Sequence, residues 1–212
     1  MRDSEYDLNQ QLNIGLTGLD IEASEEQRFK LITLLEQLIK WNKTYNLTAI
    51  KTPQEGLVLH LLDSLAVLPY LHHKQLLDVG TGAGFPGLPL AVLLPEVKFT
   101  LLDSNSKKIR FIRQQIHTLQ LDNVEAIHSR VEDQQELEFE AIISRAFASI
   151  SDMIAWTEHL LAKNGSWLAM KGHYEENEVK EISLQVQVVA NHRLSIPGLD
   201  AQRCVIELKR IG

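Results

Sequence analysis

The sequence predicts an α/β fold built on a doubly wound, mostly parallel β-sheet. Three observations support this prediction: strand-like and helix-like segments alternate from residue 75 onward, a glycine-rich turn follows the first of these strands, and an acidic residue ends the second. Parallel strands need long crossover connections, usually helices, so this alternation indicates a parallel sheet. A chain of 212 residues has room for one such domain and an appendage.

The alternating segments can be assigned to the end of the chain. Strands are predicted over 75–79, 97–102, 124–128, 139–144, 165–170, 184–190 and 203–209, and helices over 86–94, 105–119, 150–162 and 174–182. Residues 1–72 are predicted to form a helical N-terminal extension that packs on a sheet domain of residues 73–212.

Two helix starts are recognisable in this extension. Ser24 and Gln27 have the spacing of a capping box, and Thr52 is followed by Pro53 and Glu55 in the pattern of a second N-terminus. Each helix then has an apolar face, which is made of Phe29, Leu31, Ile32, Leu34, Leu35, Leu38 and Ile39 in the first and of Leu57, Leu61, Leu65 and Leu68 in the second.

The turn after the first predicted strand is the strongest indication of a ligand site. Gly80, Gly82 and Gly84 permit positive φ and carry no Cβ atom that would keep a ligand from the backbone. Pro86 suits the first turn of a helix, whose free amides we expect to face the ligand. Asp103 follows Gly80 by 23 residues, the place of an acid that binds ribose hydroxyls. An adenosine-type cofactor is therefore predicted.

Asp78 separates the candidate cofactors. A carboxylate beneath a pyrophosphate would repel it, whereas the ammonium and sulfonium groups of S-adenosylmethionine would be attracted. The spacing Gly-x-Gly-x-Gly also differs from the Gly-x-Gly-x-x-Gly of dinucleotide sites, although Gly87 partly blurs the difference. The sequence therefore favours S-adenosylmethionine. The alternative is that Asp78 only caps amides of the loop.

Composition indicates a cytoplasmic protein without a membrane partner. Cys204 is the only cysteine, so an intramolecular disulfide is excluded. The most apolar stretch, 57–71, is interrupted by His60 and Asp63 and is too short to span a bilayer, and the polar N-terminus is unlike a signal peptide. No metal site is predicted, because the histidines lack cysteine or clustered carboxylate partners.

The distribution of charge along the chain is compatible with an RNA partner, although the net charge is −7. Residues 1–28 hold seven acids and two bases, which accounts for −5 of that total. Residues 98–113 hold five bases and one acid, and Lys107, Arg110 and Arg113 fall on one side of a predicted helix. Such a face can meet phosphates, although it can also be only a solvated surface.

Several segments resemble one family, the bacterial 16S rRNA guanine-N7 methyltransferases called RsmG or glucose-inhibited division protein B. The matching segments are 41–48, 60–64, 78–87, 101–104, 107–111, 129–132, 143–148 and 171–172. The glycine loop alone would mark only the methyltransferase superfamily. The segments Trp41–Thr48 and Ser144–Ala148, in this order with the others, are specific to the family.

The resemblance implies a Rossmann-like class I methyltransferase fold with a seven-stranded sheet whose last strand is antiparallel. It implies S-adenosylmethionine as cofactor and a guanine in the decoding region of 16S rRNA as substrate, in naked RNA, an assembly intermediate or the 30S subunit. The family's cofactor contacts fall on Gly80, Phe85, Val131, Glu132 and Arg145, and Asp103 matches the ribose-binding acid of the superfamily. The argument from the glycine turn adds Asp78, Gly82 and Gly84 to this predicted cofactor site.

Substrate contacts are predicted by residue type, because unpaired bases stack on aromatic or guanidinium planes. Besides Tyr45, the aromatic candidates for stacking are Trp41 and Phe147. The alternative for Trp41 is that its ring packs in the core. No residue is predicted to act as a catalytic acid or base. Arg145 and Asn46 are predicted to position the substrate base. The alternative for Arg145 is a structural salt bridge. The predicted RNA contacts are Tyr45, Asn46, His60, Lys107, Arg110, Arg113 and Lys171, with a structural hydrogen bond to Asp63 or Ser64 as the alternative for His60.

Two other functions stay open at this point. The first is a methyltransferase for a small molecule or a protein, which would not need the basic helix face. The second is a non-catalytic nucleotide-binding module for NAD or FAD, against which Asp78 argues. The oligomeric state is expected to be monomeric.

Overall fold

Within residues 2–135, 137–145, 149–173 and 185–211, which the computed structural model describes, seven strands form one sheet. Their order is β3-β2-β1-β4-β5-β7-β6, with β1 to β5 parallel and β7 antiparallel to both of its neighbours. The mostly parallel sheet with an antiparallel last strand is thereby confirmed. The strands are β1 Gln75–Val79, β2 Lys98–Asp103, β3 Val124–His128, β4 Phe139–Arg145, β5 Leu161–Lys171, β6 Val186–Leu194 and β7 Arg203–Arg210.

The strand order creates a switch point beside β1. The chain continues from β1 to β2 on one side, and β4 pairs with β1 on the other side. At the carboxyl ends of such strands the two crossovers diverge and leave a crevice, the usual ligand site of open α/β sheets. The glycine turn, Asp103 and Arg145 all lie at this edge.

Helices cover both faces of the sheet. Their bounds are α1 Arg2–Gly18, α2 Glu25–Tyr45, α3 Pro53–Gly56, α4 Asp63–Leu65, α5 Gly87–Leu93, α6 Ser106–Leu119 and α7 Ile150–Thr157. A π-helical turn, Leu57–Leu62, joins α3 to α4. Both predicted N-termini are confirmed, since Ser24 and Gln27 bond reciprocally and Thr52 accepts a hydrogen bond from Glu55 N.

The apolar face of α2 is narrower than the sequence predicted. Leu31, Leu34, Leu35 and Leu38 are fully buried and share one hydrophobic cluster with side chains of α5, α6 and β1. Phe29 is 69% exposed, so its assignment to this face was wrong. At 100° per residue it lies about 120° around the helix from Leu35, outside the stripe that the sheet domain covers.

Tertiary pairing moved three element boundaries. The predicted helix 150–162 ends at Thr157, and a short 3₁₀ turn, Glu158–Leu160, precedes β5. Leu161 already pairs with Phe139 of β4, which makes this stretch a strand. β6 extends to Leu194 because residues 190–194 continue to pair with β7 beyond an irregularity at Val189. The predicted helix 174–182 lies outside the described residues, and the domain boundary at residue 73 stays a prediction.

Candidate active site

Asp78 holds the turn between β1 and α5 together. Its Oδ2 atom accepts hydrogen bonds from Thr81 Oγ1 at 2.6 Å and from Gly87 N at 2.8 Å, and the side chain is fully buried. The alternative in which Asp78 caps the loop is thus the observed geometry. Its Oδ1 atom is buried without a hydrogen-bond partner, so contact with a cationic ligand stays a prediction for that atom.

The backbone of the turn has the predicted conformation but not the predicted free amides. Gly80, Gly82 and Gly84 all have positive φ, between 64° and 89°. Gly87 N, at the start of α5, donates to Asp78, and Leu88 N donates to the carbonyl of Gly84 at 2.7 Å. The expectation that these helix-start amides face a ligand was therefore wrong, because the loop itself satisfies them.

Burial changes the charge of Asp78. Desolvation raises the pKa of its carboxyl from 3.8 to about 7, although the hydrogen bonds from Thr81 and Gly87 and the charge of Arg145 act in the opposite direction. The sequence argument assumed a fully ionised carboxylate. At neutral pH the group is partly protonated, so its repulsion of a diphosphate is weaker than that argument assumed.

Replacing Asp78 by asparagine should remove a pH dependence of folding. A carboxyl with a raised folded pKa stabilises the fold fully only below its unfolded pKa, and this contribution is lost as pH rises from about 4 to about 7. The change corresponds to about 4 kcal/mol. The unfolding free energy of Asp78→Asn minus that of the wild type should therefore increase across this window, as urea titrations at several pH values would measure. A difference that is flat with pH would contradict the raised pKa.

A cleft opens at the carboxyl ends of β2 and β3, beside the glycine turn. Asp103 stands in its wall, where its Oδ2 accepts from Gly82 N at 2.9 Å and its Oδ1 accepts from Asn105 N at 2.8 Å. The cleft has a volume of about 370 Å³ and is lined by Gly80, Leu102, Asp103, Ser104, Lys108, Ser129, Arg130, Val131, Glu132 and Trp156. Four predicted cofactor residues thus share one cavity.

Sequence reasoning missed six of the ten described lining residues, among them Lys108 and Trp156. Lys108 Nζ lies 3.8 Å from Asp103 Oδ2, and its position in a Lys-Lys pair pointed to it only as a surface charge. Trp156 of α7 is 39% exposed in the cleft wall. No local pattern distinguishes this tryptophan from a core residue, since only the packing of α7 brings it to the cleft.

Arg145, the last residue of β4, is the centre of a second polar cluster. Its Nη1 donates to Asp63 Oδ2 at 3.1 Å and to the carbonyl of Leu59 at 2.9 Å. Its Cζ lies 5.7 Å from the centre of the Phe85 ring, which connects the cluster to the glycine turn. The alternative of a structural salt bridge is therefore observed for Arg145, and its cofactor and substrate contacts stay predictions.

His60 completes this cluster as a neutral ring. Arginine can only donate, so His60 Nδ1 accepts from Arg145 Nη2 at 3.1 Å and Nε2 donates to Thr48 Oγ1 at 3.0 Å. Burial, followed by the charge of Arg145, lowers the pKa of His60 from 6.5 to about 3. The alternative of a structural hydrogen bond to Ser64 is observed through the backbone, since Ser64 Oγ donates to the carbonyl of His60, whereas the ring bonds to Arg145 and Thr48.

A second cavity, of about 470 Å³, adjoins this cluster. Arg145 and His60 line it together with Lys171 at the end of β5, so three predicted substrate residues meet here. The remaining lining is partly apolar, with Ile50 and Leu59 on one side. Phe147 lies outside the described residues.

The other predicted RNA residues lie around the end of α2 and along α6. Trp41 packs against the core and against Phe111 at 5.6 Å, as its alternative proposed. Tyr45 lies under Arg110 at 6.0 Å. Asn46 is exposed and ends α2 with a φ of 51°, a conformation that asparagine tolerates, so a backbone role explains it. Its loop is not without a core role, because Leu47 is buried.

The basic face of α6 is exposed, as predicted. Lys107, Arg110 and Arg113 are all exposed, and Arg113 Nη2 also donates to the carbonyl of Ala126 at 3.2 Å. In the part of the chain that the structure describes, no three His, Cys, Asp or Glu side chains gather as a metal site would require. Among the same residues, no helix has the length and hydropathy needed to cross a membrane.

Comparisons with known proteins agree with this architecture. Ribosomal RNA small subunit methyltransferase G of Aeromonas salmonicida is 47% identical over 95% of this chain and 98% of that protein. The protein of that name from Escherichia coli O1:K1 is 44% identical over 93% and 96%. A mutant of MtNAS in complex with S-adenosylmethionine matches with a TM-score of 0.56 at 12% identity, over 88% of this chain and 76% of that one, a likeness of fold alone.

The fold and the sequence relationship lead to one assignment. The predicted Rossmann-like class I methyltransferase fold is confirmed by the sheet order and the structural likeness. A family model described as GidB, rRNA small subunit methyltransferase G, matches residues 27–206. The chain belongs to the GidB family of rRNA small subunit methyltransferases G.

Proposed function

We propose that this chain transfers a methyl group from S-adenosylmethionine to N7 of a guanine in the decoding region of 16S rRNA. One observation carries the proposal: this chain is a member of the family, and its Gly80, Asp103 and Val131 line one cleft at the carboxyl ends of the strands, beside the glycine turn. Relatives named ribosomal RNA small subunit methyltransferase G support the substrate.

The residues of the cleft fit S-adenosylmethionine. Asp103 stands where ribose hydroxyls would reach its carboxylate, and Val131 offers an apolar surface for adenine. The unpaired Oδ1 of Asp78 is a buried acceptor beneath the turn, which suits a ligand that carries positive charge. When bound, S-adenosylmethionine supplies an activated methyl group on a positively charged sulfur.

The reaction asks the protein for alignment more than for acid–base chemistry. Guanine N7 has an available lone pair, so no proton has to be removed before it bonds to the methyl carbon. Displacement needs the nucleophile, the carbon and the leaving sulfur in line, which a rigid site provides. Arg145 is fixed on three sides by Asp63, Leu59 and His60, and we assign it the positioning of the base or its phosphate.

The neutral His60 suits this positioning role. With its pKa lowered to about 3, the ring accepts from Arg145 throughout the physiological pH range and does not repel it. Tyr45 with Arg110, and Lys171 in the second cavity, are the proposed stacking and phosphate contacts. Asn46 and the exposed cations Lys107 and Arg113 complete the proposed RNA surface.

Incubation with labelled S-adenosylmethionine and unmodified 16S RNA or 30S subunits tests the proposal directly. We expect one N7-methylguanine in the decoding region, located by cleavage at the modified base and primer extension. NAD and FAD should fail to displace S-adenosylhomocysteine, which would exclude the nucleotide-binding alternative. Label in a small molecule or a protein, with none in the RNA, would overturn the proposal.

Neutralising the basic face of α6 should separate an RNA methyltransferase from one with a small substrate. The triple variant Lys107→Gln, Arg110→Gln and Arg113→Gln should bind RNA more weakly, and its slope of log K against log salt should fall by up to about 2, since each single-strand phosphate contact contributes about 0.7. The affinity for S-adenosylhomocysteine should not change. An unaltered salt slope would remove this face from the RNA site.

Location and assembly follow from the same proposal. Because bacterial ribosomes assemble and work in the cytoplasm, we place the protein there, and we propose that it acts as a monomer. Size-exclusion chromatography with light scattering at working concentration would test the second point.

A further inference from the structure

The second cavity continues into a longer groove. It shares Gly172, Arg203 and Cys204 with a neighbouring cavity of about 250 Å³. Because β7 runs antiparallel to its neighbours, its first residues lie beside the last residues of β5 and β6, with Cys204 opposite both Lys171 and Arg193. The two cavities therefore form one groove, here called the β5–β6 groove, along the edge of the sheet that carries the cofactor cleft.

The β5–β6 groove is cationic in a chain that is acidic overall. Its two cavities are lined by the side-chain cations Arg145, Lys171, Arg193 and Arg203. Among the residues that the structure describes, Asp63 is the one carboxylate in the lining; it is 4% exposed and is bonded to Arg145 and to Arg203 Nε at 3.0 Å. The described part of the lining therefore holds four cationic side chains and one carboxylate, in a chain with a net charge of −7.

The lining combines this charge with apolar surface. Ile50, Leu59, Met170 and Leu194 line the deeper cavity, next to Arg145, and Arg193 is exposed at the far end. Single-stranded nucleic acids are bound by grooves that pair cations for the phosphates with flat or apolar surface for bases. An acidic peptide would use the charge but would have no reason to begin at Arg145, beside the proposed guanine position.

We infer that the β5–β6 groove holds the backbone of a single-stranded RNA segment that flanks the methylated guanine. The inference rests on the proposed function and adds a path for the RNA, from Arg145 across Lys171 and Arg203 to Arg193. It extends the RNA site toward the β6 end of the sheet, whereas α6, which carries most of the predicted basic contacts, packs near the β3 end. Lys171 and Arg193 contact phosphates, and Arg203 also keeps Asp63 neutralised.

A pair of double variants tests this path. Lys171→Gln with Arg193→Gln removes two groove charges, and Lys98→Gln with Lys163→Gln removes two exposed charges at the amino ends of β2 and β5. Binding to a protein-free RNA of the decoding region is measured by fluorescence anisotropy at several salt concentrations, with saturating S-adenosylhomocysteine. The groove variant should bind roughly 10-fold or more weakly at ~0.1 M salt, with a slope lower by about 1.4. The control should stay within about twofold of wild type.

The outcomes separate this inference from the function on which it rests. If the two double variants bind RNA with equal affinity, the inference that the β5–β6 groove holds RNA is wrong. The proposed function still holds in that case if the wild type methylates the RNA. Failure of the wild type to bind or methylate RNA would overturn both. Each variant's affinity for S-adenosylhomocysteine and urea midpoint should match those of the wild type, and a groove variant that loses RNA affinity only together with its fold would count against a phosphate contact.

Discussion

Arg145→Ala should destabilise the protein by about 3 kcal/mol and reduce methyl transfer by about 100-fold. The guanidinium makes three hydrogen bonds, to Asp63, Leu59 and His60, and also covers the ring of Phe85 at 5.7 Å. Its loss removes one of the two arginines that neutralise the buried carboxylate of Asp63 and leaves Arg203 in place, which costs more than the loss of a surface pair. Misplacement of the loop beside Phe85 would then impair alignment.

Arg210 offers a matched control for this variant. Its guanidinium also donates three hydrogen bonds, to the carbonyls of Glu158, Leu161 and Ala162, and its Cζ lies 5.7 Å from the ring of Trp167. It is the last residue of β7 and does not line the cleft. Arg210→Ala should lower the urea midpoint but leave the Kd for S-adenosylhomocysteine and the rate unchanged. Equal activity losses in the two variants would mean that Arg145 acts only through stability.

Gly84→Ala should have an effect of similar size by a different route. Gly84 has a φ of 89°, and a Cβ atom there would lie 2.7 Å from Leu88 Cγ and would contact Leu88 Cδ1 still more closely. Leu88 is fully buried and cannot swing aside. Backbone strain and overpacking together should cost about 3 kcal/mol, and the displaced turn should weaken S-adenosylhomocysteine binding by about 100-fold.

Gly82→Ala isolates the backbone contribution. Gly82 has a φ of 64°, close to that of a left-handed residue, and an added Cβ would find its nearest atom, Lys108 Nζ, at 3.9 Å. The expected cost is about 1 kcal/mol. Urea unfolding of both variants measures the difference, and equal losses would show that contact with Leu88 is unimportant.

The order of the elements followed from local patterns that tertiary structure did not override. The capping box at Ser24 and the positive φ values of the glycine turn depend on neighbours within a few residues, so they could be predicted. The end of α7 and the length of β6 could not, because pairing with distant strands fixed them. The exposure of Phe29 could not be predicted either, because it depends on which side of α2 the sheet domain covers.

The candidate site divides in the same way. Gly80 and Asp103 of the cofactor cleft could be named because a strand, a turn and an acid at fixed spacing place them together, and Val131 and Glu132 were named from the family resemblance. Lys108 and Trp156 could not be named. For Asp78 and Arg145 the internal roles were open alternatives, and the sequence did not decide between them and contact with a ligand. Arg145 bonds to the carbonyl of Leu59, 86 positions away, and such a pair has no signature in a single sequence.

By itself, the sequence determined the family, the sheet and the backbone conformation of the turn, because these depend on periodicity, glycine conformations and short motifs. Only the tertiary structure decided which charged side chains are buried, which of them bond to one another and which lie side by side. It buried Asp78, tied Asp63 to both Arg145 and Arg203, and aligned Lys171 with Arg193 across Cys204. Burial and long-range pairing set the pKa and the partners of a side chain, and both arise only when distant segments pack.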